Sequence, residues 1–516
     1  MIDARGAWEI HGGPGFDVLG EAGDDSLASR WGRVFVDRAS AVALSGDTGT
    51  VTYAALDDLT RRIAGGFRRL GVEPGDRVAV IGRTGLPFIA TYIGLLRAGG
   101  VFLPINPAYR ELEVQRIISS AEPAWAGVDG PEGAALVEAV APRLRILNLG
   151  EGLPDAAAHY GDLADGVPAD DVDRVGSNDP AMLGYTSGTT GASKGAVLSH
   201  RNLLAGVLSV IRAWGWAPDD RLLLALPLFH LHGLGVGLNG TLTVGSTAHV
   251  HSEFAAGRAV DAIEAERLTM VFGVPAMYHR LVDDESAADL SSLRLAVSGS
   301  APLPEAMFQR IFERLGVEPL ERYGMTETLM NISNPLRGER RPGSVGLPLP
   351  GVEVRLVADG GDVAPGDEGE IWLRGPNVFS EYRGDPEATT ASFTDGWFMT
   401  GDLARADSDG YIRITGRAKD LIITGGYNVH PREVEDVLAG HPGVREVAVV
   451  GIPSEMWGEQ VTAFVVRTGD AIDGTELTDW CDQRLARYKI PKEIHFVDEL
   501  PRNALGKLQR HLLRPS

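Results

Sequence analysis

Residues 185–202 read YTSGTTGASKGAVLSHRN, and this stretch decides how the rest of the 516-residue chain is read. Thr186, Ser187, Thr189, Thr190 and Ser193 supply hydroxyls, while Gly188, Gly191 and Gly195 let backbone amides approach an anion closely. Lys194 adds a positive charge. Such a loop suits a polyphosphate. It is not a Walker A loop, because Lys194 is followed by Gly195 and not by Ser or Thr, which disfavours a P-loop kinase or ATPase. A Ser/Gly-rich segment on its own is also an ordinary turn. Its surroundings must separate the two.

Upstream, residues 56–70 (LDDLTRRIAGGFRRL) have helical periodicity and GDRVAVIG reads as a short buried strand. Residues 86–98 form a second helical pattern closed by Gly99-Gly100, VFLPINP a second strand, and residues 110–121 a third helix. Strands and helices alternating at this length predict a largely parallel α/β sheet covered on both faces. Residues 154–179 read as an acidic surface loop, and AMLGYTS as the strand that enters the phosphate loop. From residue 345 to about 415 the texture changes to short alternating segments (VEVRLV, GEIWLRG, GYIRITG), which is antiparallel hairpin character. After Gly416 about a hundred residues, with a helix from Pro431, the strands REVAVVGIP and VTAFVVR, a helix near 477–487 and IHFVDEL, predict a separate small α+β domain.

Composition narrows the function classes. There are 48 Lys+Arg against 70 Asp+Glu, a net charge of −22, which is a poor surface for nucleic acid or anionic lipid. The single cysteine, Cys481, excludes an internal disulfide framework and a Cys-cluster zinc site, and reads as a packing residue. Residues 222–252 carry no formal charge over 31 positions, but Pro227, five glycines and four histidines break the stretch into short apolar blocks. They predict buried strands and a glycine-rich helix, not a membrane span. The first residues lack an apolar leader core, so a cytoplasmic protein is expected. Asp25-Ser26-Leu27 resembles a carrier-protein phosphopantetheine site, but too few residues precede it, and chance is the better reading.

Other motifs follow in order: SGSAP at 298–302, RYGMTET at 322–328, TGDL at 400–403, GRAKDLIITGGYN at 416–428 and PRNALGK at 501–507. Together with YTSGTTGASKG they resemble the adenylate-forming superfamily of acyl-CoA synthetases, luciferases and peptide-synthetase adenylation domains, over nearly the whole chain. The resemblance implies a large multi-lobed N-terminal domain (1–416: two βα sheets plus a β-barrel-like lobe) and a small mobile C-terminal domain (417–516). It also implies ATP, Mg²⁺ and coenzyme A. A carboxylate attacks the α-phosphate of ATP to give an acyl-adenylate and pyrophosphate, and a thiol then displaces AMP.

Residue by residue, the resemblance makes Glu327 the Mg²⁺ ligand and puts Thr326 on the α-phosphate. Arg322, Gly324 and Met325 belong to the same nucleotide strand. Tyr323 stacks on adenine, with Gly299, Ser300 and Ala301 as the opposite wall. Asp402 takes two ribose hydroxyls through its two acceptor oxygens, and Arg417 contacts the same sugar. Lys507 is the adenylation lysine and Lys419 the hinge of a domain rotation. Gly425 and Gly426 line a pantetheine channel, and His230 in LPLFHLHG gates the acyl pocket. His230/His232 with His249/His251 and Glu253 is the competing metal reading, on the expectation that each H-x-H lies on a strand face. FGVPAMYHRLV, ERYGMTETLMNISNP and KDLIITGGYNVHPREVE look closest to the malonyl-CoA synthetase branch, where an arginine at the position of Arg280 would hold a second carboxylate as a bidentate fork. The expected function is an AMP-forming carboxylate–CoA ligase, on malonate or methylmalonate. A bulkier or monocarboxylic acid, or a single half-reaction, is the alternative. A nucleotide-sensing scaffold, a luciferase-type oxygenase and a carrier-loading domain are the different-class readings. The expected partner is a small carboxylic acid, without nucleic acid, with a homodimer allowed.

Overall fold

The computed structural model describes residues 17–186, 194–286, 288–424, 427–454, 457–469, 472–502 and 508–514. Its framework is four sheets. The first has eight strands, and its parallel centre is built from Val101–Ile105, Arg77–Ile81, Trp125–Val128 and Arg145–Asn148. Pro180–Thr186 joins that centre in parallel, and Lys194–Ser199 returns antiparallel beside it. The phosphate-loop sequence therefore connects two neighbouring antiparallel strands of this sheet. A two-residue strand, Glu381–Tyr382, caps this edge by pairing antiparallel with Lys194–Ser199.

The second sheet has nine strands, with Pro319–Met325, Leu295–Ser298, Met270–Gly273, Arg221–Leu224 and Thr247–Val250 parallel at its centre. Most residues of these strands are buried, as a sheet covered on both faces requires. The uncharged stretch supplies two of them, and between them a π-helix, His232–Leu238, runs into the α-helix Asn239–Val244. The buried strands and glycine-rich helix were legible in the sequence. The wider π winding was not, and it corrects the expectation that His230 and His232 lie on a strand. Among the described residues no helix is long and apolar enough to cross a membrane.

The third sheet is antiparallel, as the alternation predicted: Glu353–Ala358, Glu368–Arg374, Trp397–Ala406 and Ile412–Arg417 are its main strands. A 3₁₀ turn, Ala418–Asp420, leads to the fourth sheet, whose strands all lie beyond residue 421. Its core packs Val434, Leu438, Val449, Val461, Leu477 and Cys481. Cys481 is buried there and burial pushes its thiol up to about 11, which fits packing and not reactivity. Two smaller expectations need correcting. The acidic segment before residue 179 contains a short strand and one helical turn, Tyr160–Ala164, and the later helix spans Gly474–Asp482. Ser26 is a buried helix N-cap that accepts from the Ser29 amide at 3.0 Å, so its hydroxyl is already used.

Candidate active site

Four of the predicted motifs meet around one strand: Arg322 lies against Gly299, and Tyr323 and Arg417 both bond to Asp402. The strand Pro319–Met325 carries Arg322, Tyr323, Gly324 and Met325 and then turns back through Thr326–Thr328 into Leu329–Ser333. Its approach to the phosphate hairpin is close: a Cβ on Gly184 would lie 2.5 Å from the Thr326 methyl. Only glycine lets the two motif-bearing segments come this near.

On one side of the strand the polar groups are paired. The Tyr323 hydroxyl donates to Asp402 Oδ2 at 2.5 Å, and Arg417 Nε donates to Asp402 Oδ1 at 2.8 Å. Asp402 is buried and stands at the bulge of the long strand Trp397–Ala406, where its amide donates to the Thr400 hydroxyl at 3.1 Å. Burial, followed by the Asp402 charge, raises the Tyr323 phenol, and Asp402 keeps Arg417 firmly protonated. Each Asp402 oxygen retains a lone pair beyond the bond it accepts. Gly299, Ser300 and Ala301 follow the neighbouring strand Leu295–Ser298, and Ser300 has a left-handed backbone at φ 68°. A non-glycine residue held in that region costs free energy and marks a functional turn.

Glu327 is 6% exposed and has no ion-pair partner among the described residues. Burial pushes its carboxyl up, and the Tyr382 hydroxyl, donating to Oε1 at 3.0 Å, works against this. A buried carboxylate without a direct ion-pair partner among the described residues suits a hard divalent ion. No group of three or more His, Cys, Asp or Glu side chains clusters among the described residues, so phosphate oxygens and water would have to complete the coordination of Mg²⁺. The four-histidine metal reading is not met either: His249 and His251 adjoin each other at 5.1 Å, whereas His232 stacks on Phe272.

The opposite side of the strand is unpaired. Arg322 is buried, and its Nε and Nη2 have no partner among the described residues. A Cβ on Gly299 would lie 2.5 Å from Arg322 Cζ, so that glycine makes room for the guanidinium. Burial brings Arg322 down to about 9. Both ring nitrogens of buried His232 and the Ser298 hydroxyl are likewise without partners among the described residues. Burial, then the nearby Arg322 charge, keeps His232 neutral. Its amide donates to His230 Nδ1 at 3.3 Å, which ties the half-buried His230 to this group. Arg280, by contrast, is exposed on the helix Pro275–Asp283. The sequence reading expected a pocket cation at Arg280, whereas the helix leaves that side chain exposed.

Lys194 begins the exit strand of the hairpin, with Nζ 5.1 Å from the Tyr382 ring centre. Lys419 is the middle residue of the 3₁₀ turn between the third and fourth sheets. Ser187, Gly188, Thr189, Thr190, Gly191, Gly425, Gly426 and Lys507 lie outside the described residues, as does the side chain of Thr186.

Comparison with known proteins decides the family. A model described as AMP-binding enzyme matches residues 30–383, and one described as AMP-binding enzyme C-terminal domain matches residues 433–507. The chain belongs to the AMP-binding enzymes. A feruloyl-CoA synthase from an Amycolatopsis species is 41% identical over 470 residues, covering 90% of this chain and 93% of that protein. The mouse mitochondrial malonate–CoA ligase ACSF3 is 36% identical, covering 91% and 87%. The ATP-bound crystal structure of MatB from Rhodopseudomonas palustris superposes with a TM-score of 0.89 at 40% identity, covering 94% of this chain and 98% of that one. This AMP-binding enzyme is an AMP-forming acyl-CoA ligase that uses ATP, Mg²⁺ and coenzyme A on a small carboxylic acid.

Proposed function

We propose that the acid this ligase activates carries a second anionic group, as malonate and methylmalonate do, and that Arg322 receives it. The observation that carries this reading is the buried guanidinium with two unpartnered N–H groups beside neutral His232 and the free Ser298 hydroxyl. An uncompensated buried cation is costly, and a ligand carboxylate removes that cost while satisfying the donors. Malonate–CoA ligases among the relatives support the same class. The feruloyl-CoA synthase relative favours a second reading, an aromatic monoacid whose phenol or methoxy oxygen accepts from the same donors.

In this reading the nucleotide lies on the Tyr323 side. Asp402 and Arg417 hold the ribose, Tyr323 and the Gly299–Ser300–Ala301 turn enclose the adenine, and Thr326 and the 187–193 loop solvate the phosphates. Glu327 holds Mg²⁺, which supplies charge neutralisation at the phosphate oxygens as pyrophosphate leaves. His230 borders the acyl pocket. Residues 1–416 and 417–516 act as two bodies turning at Lys419, so that Lys507 serves adenylation and the Gly425–Gly426 channel serves the thiol. The deciding experiment is pyrophosphate release with malonate, methylmalonate, acetate, ferulate and indoleacetate, each with and without coenzyme A. Malonate or methylmalonate should exceed acetate by about 100-fold in kcat/KM. Preference for ferulate would install the second reading, and equal use of malonate and acetate would remove the role given to Arg322.

A further inference from the structure

Tyr382 stands in none of the sequence motifs, yet its two chemical halves touch two of them. Its hydroxyl donates to Glu327 Oε1 at 3.0 Å, and its ring face lies 5.1 Å below Lys194 Nζ. The backbone makes this bridge stiff. Tyr382 pairs with Ala196 in register, and the Arg383 amide donates to the Gly195 carbonyl at 2.8 Å, which fastens one end to the exit strand of the phosphate hairpin. At the other end the Phe379 amide donates to the Glu327 carbonyl at 2.8 Å, and Asn377 Nδ2 donates to the Thr328 carbonyl at 2.7 Å. Phe379 packs against the Tyr382 ring, with centroids 4.7 Å apart. A buried ring held by a strand on one side and an aromatic cluster on the other has one available orientation.

We infer that Tyr382 is a positioning residue for the adenylation step, which orients the Glu327 carboxylate toward Mg²⁺ while carrying Lys194 on its ring. The inference rests on the reading that Glu327 holds the metal. A hydroxyl on one carboxylate oxygen favours the ionised form and turns the other oxygen to a fixed direction, as outer partners of metal ligands do. The cation over the ring face adds an attraction that tethers the lysine to the same side chain.

Tyr382→Phe separates the two halves, because it keeps the ring under Lys194 and removes only the bond to Glu327. The free Mg²⁺ giving half-maximal pyrophosphate release should rise about tenfold. Mn²⁺ binding to the enzyme with α,β-methylene-ATP, followed by electron paramagnetic resonance, should weaken by a similar factor with an unchanged melting temperature. Adding Tyr382→Phe to Glu327→Gln should then have no further effect on metal binding. Unchanged metal dependence in Tyr382→Phe, with Glu327→Gln strongly shifted, overturns the inference and leaves Glu327 as the ligand. If Glu327→Gln itself leaves Mn²⁺ binding intact, the metal assignment fails and the inference fails with it.

Discussion

Arg322 and Tyr323 are neighbours on one strand, yet they face opposite conditions. Tyr323 is bonded to Asp402, which Arg417 also grips, and the three form a closed set before any ligand enters. Arg322, one residue earlier, projects to the other side, close to Gly299, with its Nε and Nη2 unpaired among the described residues. Alternation along a strand places consecutive side chains on opposite faces, so a single strand here divides two subsites. If the nucleotide lies on the Tyr323 side, as proposed above, its subsite is preassembled. The side proposed for the acid holds a buried charge with donors unpaired among the described residues, which a ligand would complete.

The largest break in this contrast is expected from Asp402→Ala. Removing the shared acceptor frees the Tyr323 phenol and leaves Arg417 without its counter-charge, so pyrophosphate release should fall by at least about 100-fold, with a raised KM for ATP. A near-normal KM for ATP would mean that the paired side is structural only. Next comes Arg322→Leu, which should cut kcat/KM for malonate by about 100-fold and leave acetate largely unaffected. The melting temperature should hold or rise, because an unpaired buried charge is gone. A large fall in stability, with malonate and acetate losing activity equally, would show that Arg322 supports the fold and not the acid.

The smallest effect comes from Glu321, on the same strand. Its Oε1 accepts from the Leu303 amide at 3.1 Å, its Oε2 has no partner, and burial pushes the carboxyl up to about 7 from 4.5. Between those values the folded chain keeps a proton that the unfolded chain releases. Stability therefore falls as pH rises through that window, by roughly 3 kcal/mol once the pH exceeds 7. Glu321→Gln, which can keep the bond to Leu303, should flatten this dependence and raise the melting temperature at pH 8 more than at pH 5. An unaltered slope would mean that Glu321 titrates normally.

Much of the fold was legible because it rests on local signals. Gly99 ends its helix with φ 94°, the apolar runs became buried parallel strands, and the alternating segments became hairpins. Asp402, Arg417, Tyr323 and Glu327 could be nominated because each sits inside a motif, and the fold brings the first three into contact. What escaped depends on long-range pairing. Nothing in the segment around Tyr382 marks it, since its position comes from the register that sets it beside Ala196, far earlier in the chain. Arg322 was nominated for the nucleotide because its motif is read as a unit; the proposal that it meets the acid rests instead on the two-residue period of the strand, which places it on the face away from Tyr323. Arg280 looked attractive as an isolated cation, and only the packing of its helix shows that it faces solvent.

The π-helix His232–Leu238 gives the acyl side a property of a different kind. Its amides reach five residues back, as in Val236 to Leu231 and Asn239 to Leu234, so the coil holds surplus chain relative to an α-helix of equal length. Loss of one residue there can be absorbed by rewinding to α geometry, while His232 swings by about 100° relative to the helix that follows. A single-codon deletion in this segment could thus re-aim a pocket wall without breaking a sheet.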